Sequence, residues 1–177
     1  MRILSGVLLA ITLTCAPAHG GATAASVQAL PFSAVSPPLV TVVVDAKLAT
    51  TASSVYGRNE VEVQAQRLRR LVAEDLQRMG VMAGGRVELV LTDIRPSRPT
   101  VHQLRHRPGL SFRSSALGGA AIEGRMVAFD GAVTPVSFAW YASDITDSRR
   151  QSVWGDAELT FQRFSHRLSR GQLYALR

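Results

Sequence analysis

Two histidines, His102 and His106, stand four residues apart. On a helix that spacing puts both imidazoles on one face, as paired metal ligands require. The pattern is incomplete. Gln103 stands where H-E-x-x-H has its glutamate, no third ligand follows nearby, and the flanking arginines repel a cation. The pair reads as side chains of a solvated loop; a small periplasmic metal-dependent hydrolase using His102 and His106 is the alternative. No serine lies in G-x-S-x-G, and Gly84-Gly85 and Gly118-Gly119 lack the other positions of a phosphate loop. Asp45 and Asp93 each fall inside an apolar run. Facing inward side by side they would perturb each other's titration; bonded to a loop or to water they would not. His166, among the arginines of the last helical stretch, reads as a surface side chain. No catalytic residue, metal or cofactor is assigned, and the chain reads as non-enzymatic.

The denser signal is basic. Residues 95–118 hold Arg95, Arg98, His102, Arg105, His106, Arg107 and Arg113 without an acid. Guanidinium forks match phosphate and carboxylate. Arg95, Arg98, Arg105, Arg107 and Arg113 are therefore candidate contacts for an anionic envelope surface: lipopolysaccharide, anionic lipid or an acidic protein partner. The plainer reading is a solvated loop in an arginine-rich chain. Of 20 Lys+Arg only Lys47 is a lysine, a skew that genome base composition can produce.

The whole chain bounds these readings. Its 177 residues, 46% hydrophobic and 19% charged, fit one globular domain and exclude a wholly disordered chain. Residues 1–18 form a secretory leader: Arg2, the uncharged apolar run Ile3 to Leu13, then Ala16-Pro17-Ala18 as an A-x-A cleavage site. Ala22-Thr23-Ala24 is a second such site. The apolar run is too short to span a bilayer. Cleavage after Ala18 removes Arg2 and no acid, lowering the net charge of +7 by one. It also removes Cys15, the one cysteine, which excludes a disulfide framework and suits an oxidising compartment. Lipid attachment at Cys15 is the alternative, but a lipobox has Gly or Ala before the cysteine, and Thr14 stands there. A periplasmic or secreted protein does not ordinarily meet nucleic acid, so its basic balance points to anionic envelope surfaces.

Residues 19–38 are rich in Gly, Ala, Ser and Pro and read as a flexible lead-in. A domain over 39–171 and a short tail over 172–177 follow. Leu39 to Leu48 is a β-branched run that predicts a strand. Asn59 to Met79 predicts a helix, with Asn59 as cap, Glu62 completing a capping box, and Val61, Ala65, Leu68, Val72, Leu76 and Met79 as the apolar stripe. Arg86 to Ile94 is a second strand, expected parallel to the first. Ala120 to Phe129 and Val133 to Ala142 flank Asp130-Gly131 as a hairpin, with Pro135 marking a sheet edge or the first residues of its strand. Asp156 to Arg170 predicts a second helix, capped by Asp156 and packed through Ala157, Phe161, Phe164 and Leu168. The order β-α-β-β-β-α predicts an α+β fold: one mixed sheet of about four strands with both helices on one face. The other face mixes Glu123, Arg125 and Tyr141 with Val127 and Phe129, and is suited to a second subunit.

From Val87 to Leu168 the chain resembles a family of uncharacterised bacterial lipoprotein-like envelope domains of unknown function. The residues that carry the resemblance are Gly118-Gly119-Ala120-Ala121-Ile122-Glu123 and Trp154-Gly155-Asp156-Ala157. The element order is also similar to the anticodon-binding-domain-like fold of outer-membrane accessory lipoproteins. The resemblance implies an envelope location and a binding or assembly role, and brings no catalytic residues.

Overall fold

Side-chain alternation divides the sheet into two unlike faces. In strand β1 (Leu39–Val44), Val40 is buried, Val42 and Val44 pack against the core, and Leu39, Thr41 and Val43 are exposed. Strand β2 (Arg86–Arg95) buries Val87, Leu89, Leu91 and Ile94. A register shift between Leu91 and Asp93 keeps Ile94 on the buried face although it is three residues beyond Leu91. Strand β3 (Gly119–Val127) and strand β4 (Val133–Tyr141) form the hairpin around Asp130-Gly131. The spatial order is β1-β2-β3-β4, with β1 parallel to β2 and the other two pairings antiparallel. Pro135 lies in β4, an edge strand, where a missing N–H is tolerated. The fold is α+β, built on one mixed four-stranded sheet.

Two long helices cover one face of that sheet. Helix α2 (Arg58–Met79) lies against β1 and α4 (Gly155–Ser169) against β3 and β4, and the two helices touch. Leu68, Val72 and Leu76 of α2 meet Phe161, Phe164 and Leu168 of α4 in one core with the inward residues of the strands. Each large apolar side chain buried this way stabilises the fold by about 1.5–3 kcal/mol. Leu173, just past α4, is buried in the same core. The Arg67–Glu158 ion pair, 2.6 Å, and the Ser165 hydroxyl on the Asp75 carboxylate, 2.5 Å, join the helices at their polar margins.

The computed structural model describes residues 36–144 and 152–173, all within the unit Ala34–Arg177. The leader with Cys15, most of the lead-in and the end of the tail lie outside the described residues. No helix among the described residues is long and apolar enough to cross a membrane.

Three local expectations are corrected. The β-branched run ends as strand at Val44, because the Asp45 carboxylate accepts from Lys47 N and Leu48 N and starts helix α1 (Ala46–Thr51). Leu48 is therefore a buried helical residue. The long helix begins one residue before Asn59, with Gly57 at its cap position and no side-chain cap bond. Residues 95–118 are not wholly loop. Helix α3 (Val101–His106) lies inside them, held by a reciprocal capping box between Thr100 and Gln103.

Candidate functional site

Strands β1 and β2 run parallel, so their carboxyl ends open at the same end of the sheet. A cleft of about 280 Å³ lies there. Its polar lining includes Tyr56, Arg95, Arg98, Gln103, Arg107, Ser114 and Ser115, and its apolar walls are Pro96, Pro99, Leu110, Ala116 and Leu117. The volume suits a headgroup or other small anion.

Four local structures bring these side chains together. Tyr56 ends a π-helical turn, Ala52–Tyr56, that continues α1; Gly57 closes it, donating to the Ala52 carbonyl at 2.7 Å with φ 94°. A side chain at that φ would be strained. Arg95 ends β2. Gln103 and Arg107 belong to α3 and its C-terminal cap. Ser114 closes a turn on Ser111, with Ser114 N donating to the Ser111 carbonyl at 3.0 Å and Ser111 N to the Ser114 hydroxyl at 3.1 Å.

The base of this segment is fastened to α4 by a buried polar node. The Ser97 hydroxyl donates to Asp156 Oδ2 at 2.8 Å and accepts from Asp156 N at 3.1 Å. Gly118 N donates to the same carboxylate oxygen at 3.2 Å. Both Ser97 and Asp156 are buried. Ser97 thus does the capping work that the sequence assigns to Asp156, and Asp156 instead ties down both ends of the basic segment. Trp154 occupies the cap position without a side-chain bond and meets Tyr56 edge-on, ring centroids 6.0 Å apart. Gly118 is required for closeness: a Cβ there would stand 2.6 Å from the Ser97 hydroxyl.

Charge at the cleft is ordered by Asp93. Its Oδ2 accepts from Arg95 Nε at 3.0 Å and from the Tyr141 hydroxyl at 2.7 Å. The Arg95 guanidinium lies over the Tyr141 ring, 4.7 Å from its centroid. Burial pushes the Tyr141 phenol up to about 12, helped by its bond to Asp93 and by that carboxylate's charge. Burial also raises Tyr56, with the Asp93 charge adding to it and Arg95 and Arg107 opposing it. Both phenols stay protonated at neutral pH and remain hydrogen-bond donors.

Of the five arginines singled out from the sequence, the cleft gathers Arg95, Arg98 and Arg107. Arg105 lies instead with His102 and His106 along a neighbouring shallow depression, and Arg113 lines neither. Arg98 donates to the Phe112 carbonyl at 3.1 Å. Among the described residues, the arginines paired to acids are Arg67, Arg78, Arg86, Arg95 and Arg125, while Arg98, Arg105, Arg107 and Arg113 form no salt bridge.

The histidines do share a helix face, as their spacing requires, and their rings stack with centroids 4.3 Å apart. One nitrogen of each ring already faces a backbone carbonyl: His102 Nε2 lies 3.2 Å from Ser54 O, and His106 Nδ1 lies 2.8 Å from His102 O. No group of three ligand-type side chains that could hold a metal occurs among the described residues. Asp45 and Asp93 do not form a pair, since one caps α1 and the other holds Arg95 and Tyr141. His166 lines a shallow surface groove of α4 with Arg163 and Arg167.

Sequence reasoning missed Tyr56, Gln103, Ser114 and Ser115. For Gln103 a signal existed: T-x-x-Q over 100–103 is a capping box and would have marked α3. Tyr56 had no such signal, because tertiary folding alone brings it to the end of β2. No protein-family model matches the chain, and no curated protein does.

Proposed function

We propose that this chain is an exported, non-enzymatic domain of the cell envelope that binds an anionic envelope component through its arginine-lined end. The observation that carries this reading is the convergence of Arg95, Arg98 and Arg107 on one cleft, with Asp93 the only acid engaged there among the described residues. Three guanidinium charges against that one carboxylate leave the cleft cationic. Arg105 and Arg113, in no salt bridge among the described residues, lie on the same segment. The donors present, including guanidinium, phenol, amide and hydroxyl groups, are those that bind phosphate or carboxylate oxygens. The leader, the loss of Cys15 with it and the resemblance to lipoprotein-like envelope domains support the location.

Vesicle co-sedimentation tests the reading. Wild type is expected to bind phosphatidylglycerol vesicles at low salt and not neutral ones, and Arg105→Ala/Arg107→Ala to weaken that binding several-fold. Equal binding by the double variant at low salt would remove the charged-surface function.

A further inference from the structure

The loop after α3 carries three exposed apolar side chains within eight residues: Leu110 at 37%, Phe112 at 74% and Leu117 at 43%. Single exposed apolar residues are ordinary; here Leu110 and Leu117 line the cleft with Arg98 and Arg107, and Phe112 precedes Arg113 on the same loop. From Ile94 to Ile122 the segment itself carries no acid; neighbouring elements bring Asp93, bonded to Arg95, and Glu60, in the depression that holds Arg105. Their presentation is fixed as well. The Ser111–Ser114 turn puts Phe112 and Arg113 at its two central positions, and Arg98 holds the Phe112 carbonyl from below at 3.1 Å. Leu110 and Leu117 form the apolar rim of the arginine cleft. Phe129, exposed at 86%, gives the contrast: it lies past Val127, at the opposite end of the sheet, beside Asp130.

We infer that the Arg107–Leu117 loop seats this domain on an anionic phospholipid bilayer, with Leu110, Phe112 and Leu117 entering the headgroup boundary and the surrounding arginines taking lipid phosphates. The inference rests on the anion-binding reading and names its partner. Apolar side chains among cations are the two attractions that hold a peripheral protein in a bilayer interface: buried hydrocarbon and charge. A free phosphate would use the arginines and leave the exposed phenylalanine without a role; an acidic protein would bury it away from lipid, an outcome that quenching by brominated lipid separates. The cleft accounts for a headgroup, and its leucine rim leads from that headgroup toward the acyl chains.

The test uses the exported chain and vesicles of phosphatidylglycerol with phosphatidylethanolamine. Phe112→Ala is expected to weaken binding roughly tenfold or more, the effect of losing one buried aromatic side chain. Phe129→Ala is expected to bind as wild type does. In Phe112→Trp, the emission added over wild type is expected to shift blue on binding and to be quenched by lipids brominated along the acyl chain. Circular dichroism checks that each variant is folded, which the exposure of both positions favours. If Phe112→Ala binds like wild type and the added emission is unquenched, while Arg105→Ala/Arg107→Ala still weakens binding, insertion is overturned and the anion-binding reading survives. If wild type fails to bind the anionic vesicles, the inference fails outright, and binding insensitive to the arginine variant sinks the underlying reading.

Discussion

Asp93 shows how one carboxylate can set the chemistry of a cationic site without cancelling it. It occupies the Nε edge of Arg95 and leaves the far edge of that guanidinium outside the bond. It also accepts from Tyr141, and burial of that phenol, reinforced by the bond, has a consequence at alkaline pH. An unfolded tyrosine ionises near 10.0, whereas folded Tyr141 holds its proton to about 12. Between those values the native state binds more protons than the unfolded state, so stability falls as pH rises through the window. Tyr141→Phe is expected to flatten that part of the stability–pH curve while leaving the curve at neutral pH parallel to wild type. Urea denaturation at intervals across the window measures it. An unchanged slope would mean that neither burial nor Asp93 raises this phenol in solution. Tyr56 is raised too, more by burial than by Asp93, so some slope is expected to persist in the variant.

The same residues show what could be read in the sequence. Arg95, Arg98 and Arg107 were marked by type and by an acid-free stretch, and these are properties of the chain itself. That they share a cleft with Tyr56 while Arg113 does not depends on the α1 turn folding over the end of β2. No local pattern encodes that contact. The aromatic partners of other arginines were equally hidden. Arg163 lies 4.2 Å from the Trp140 ring centroid and Arg167 5.3 Å from that of Phe138, so cations of α4 cover the aromatic end of β4.

Among the elements, those with strong periodicity were legible and those set by single polar side chains were not. In the α2 stripe Val61, Ala65, Leu68, Val72 and Leu76 are buried as their spacing requires, while Met79, in the last turn, is exposed; the β3–β4 hairpin turns at Asp130-Gly131. The end of β1 was hidden because β-branched residues run up to Asp45 and the carboxylate, not the apolar pattern, ends the strand. The Ser97–Asp156–Gly118 node was hidden for a related reason: its three members are far apart in the chain and meet only when α4 docks. Asp156→Ala would leave the Ser97 hydroxyl and Gly118 N without their buried acceptor. The expected cost is about 2–4 kcal/mol, since each orphaned buried group loses on the order of 1–3. A denaturant midpoint close to wild type would show that the node is not holding the segment. Binding to anionic vesicles is expected to weaken in the same variant, because the node fixes both ends of the arginine segment.

Across the whole molecule, acids and bases are distributed unequally. Glu88 bridges Arg86 and Arg125 on the open sheet face, and the hydrogen bond from Arg125 does most to hold its carboxyl below the usual range. Asp75 and Glu158 neutralise arginines of α2. The formal charge of +7 is therefore not spread evenly; its unpaired part includes the cluster beyond the carboxyl ends of β1 and β2. If location and not total charge governs attachment, removing two cations from that end should matter more than removing two elsewhere. Arg69→Ala/Arg70→Ala takes the same charge from the exposed side of α2. It is expected to leave binding to anionic vesicles within about twofold of wild type, because a screened charge acts over only ~10 Å at 0.1 M salt. Arg105→Ala/Arg107→Ala should weaken binding several-fold at the same ionic strength and reduce its dependence on salt. Equal losses from the two double variants, measured by co-sedimentation across a salt series, would show that net charge alone draws this protein to the surface and that its arginine end has no special place.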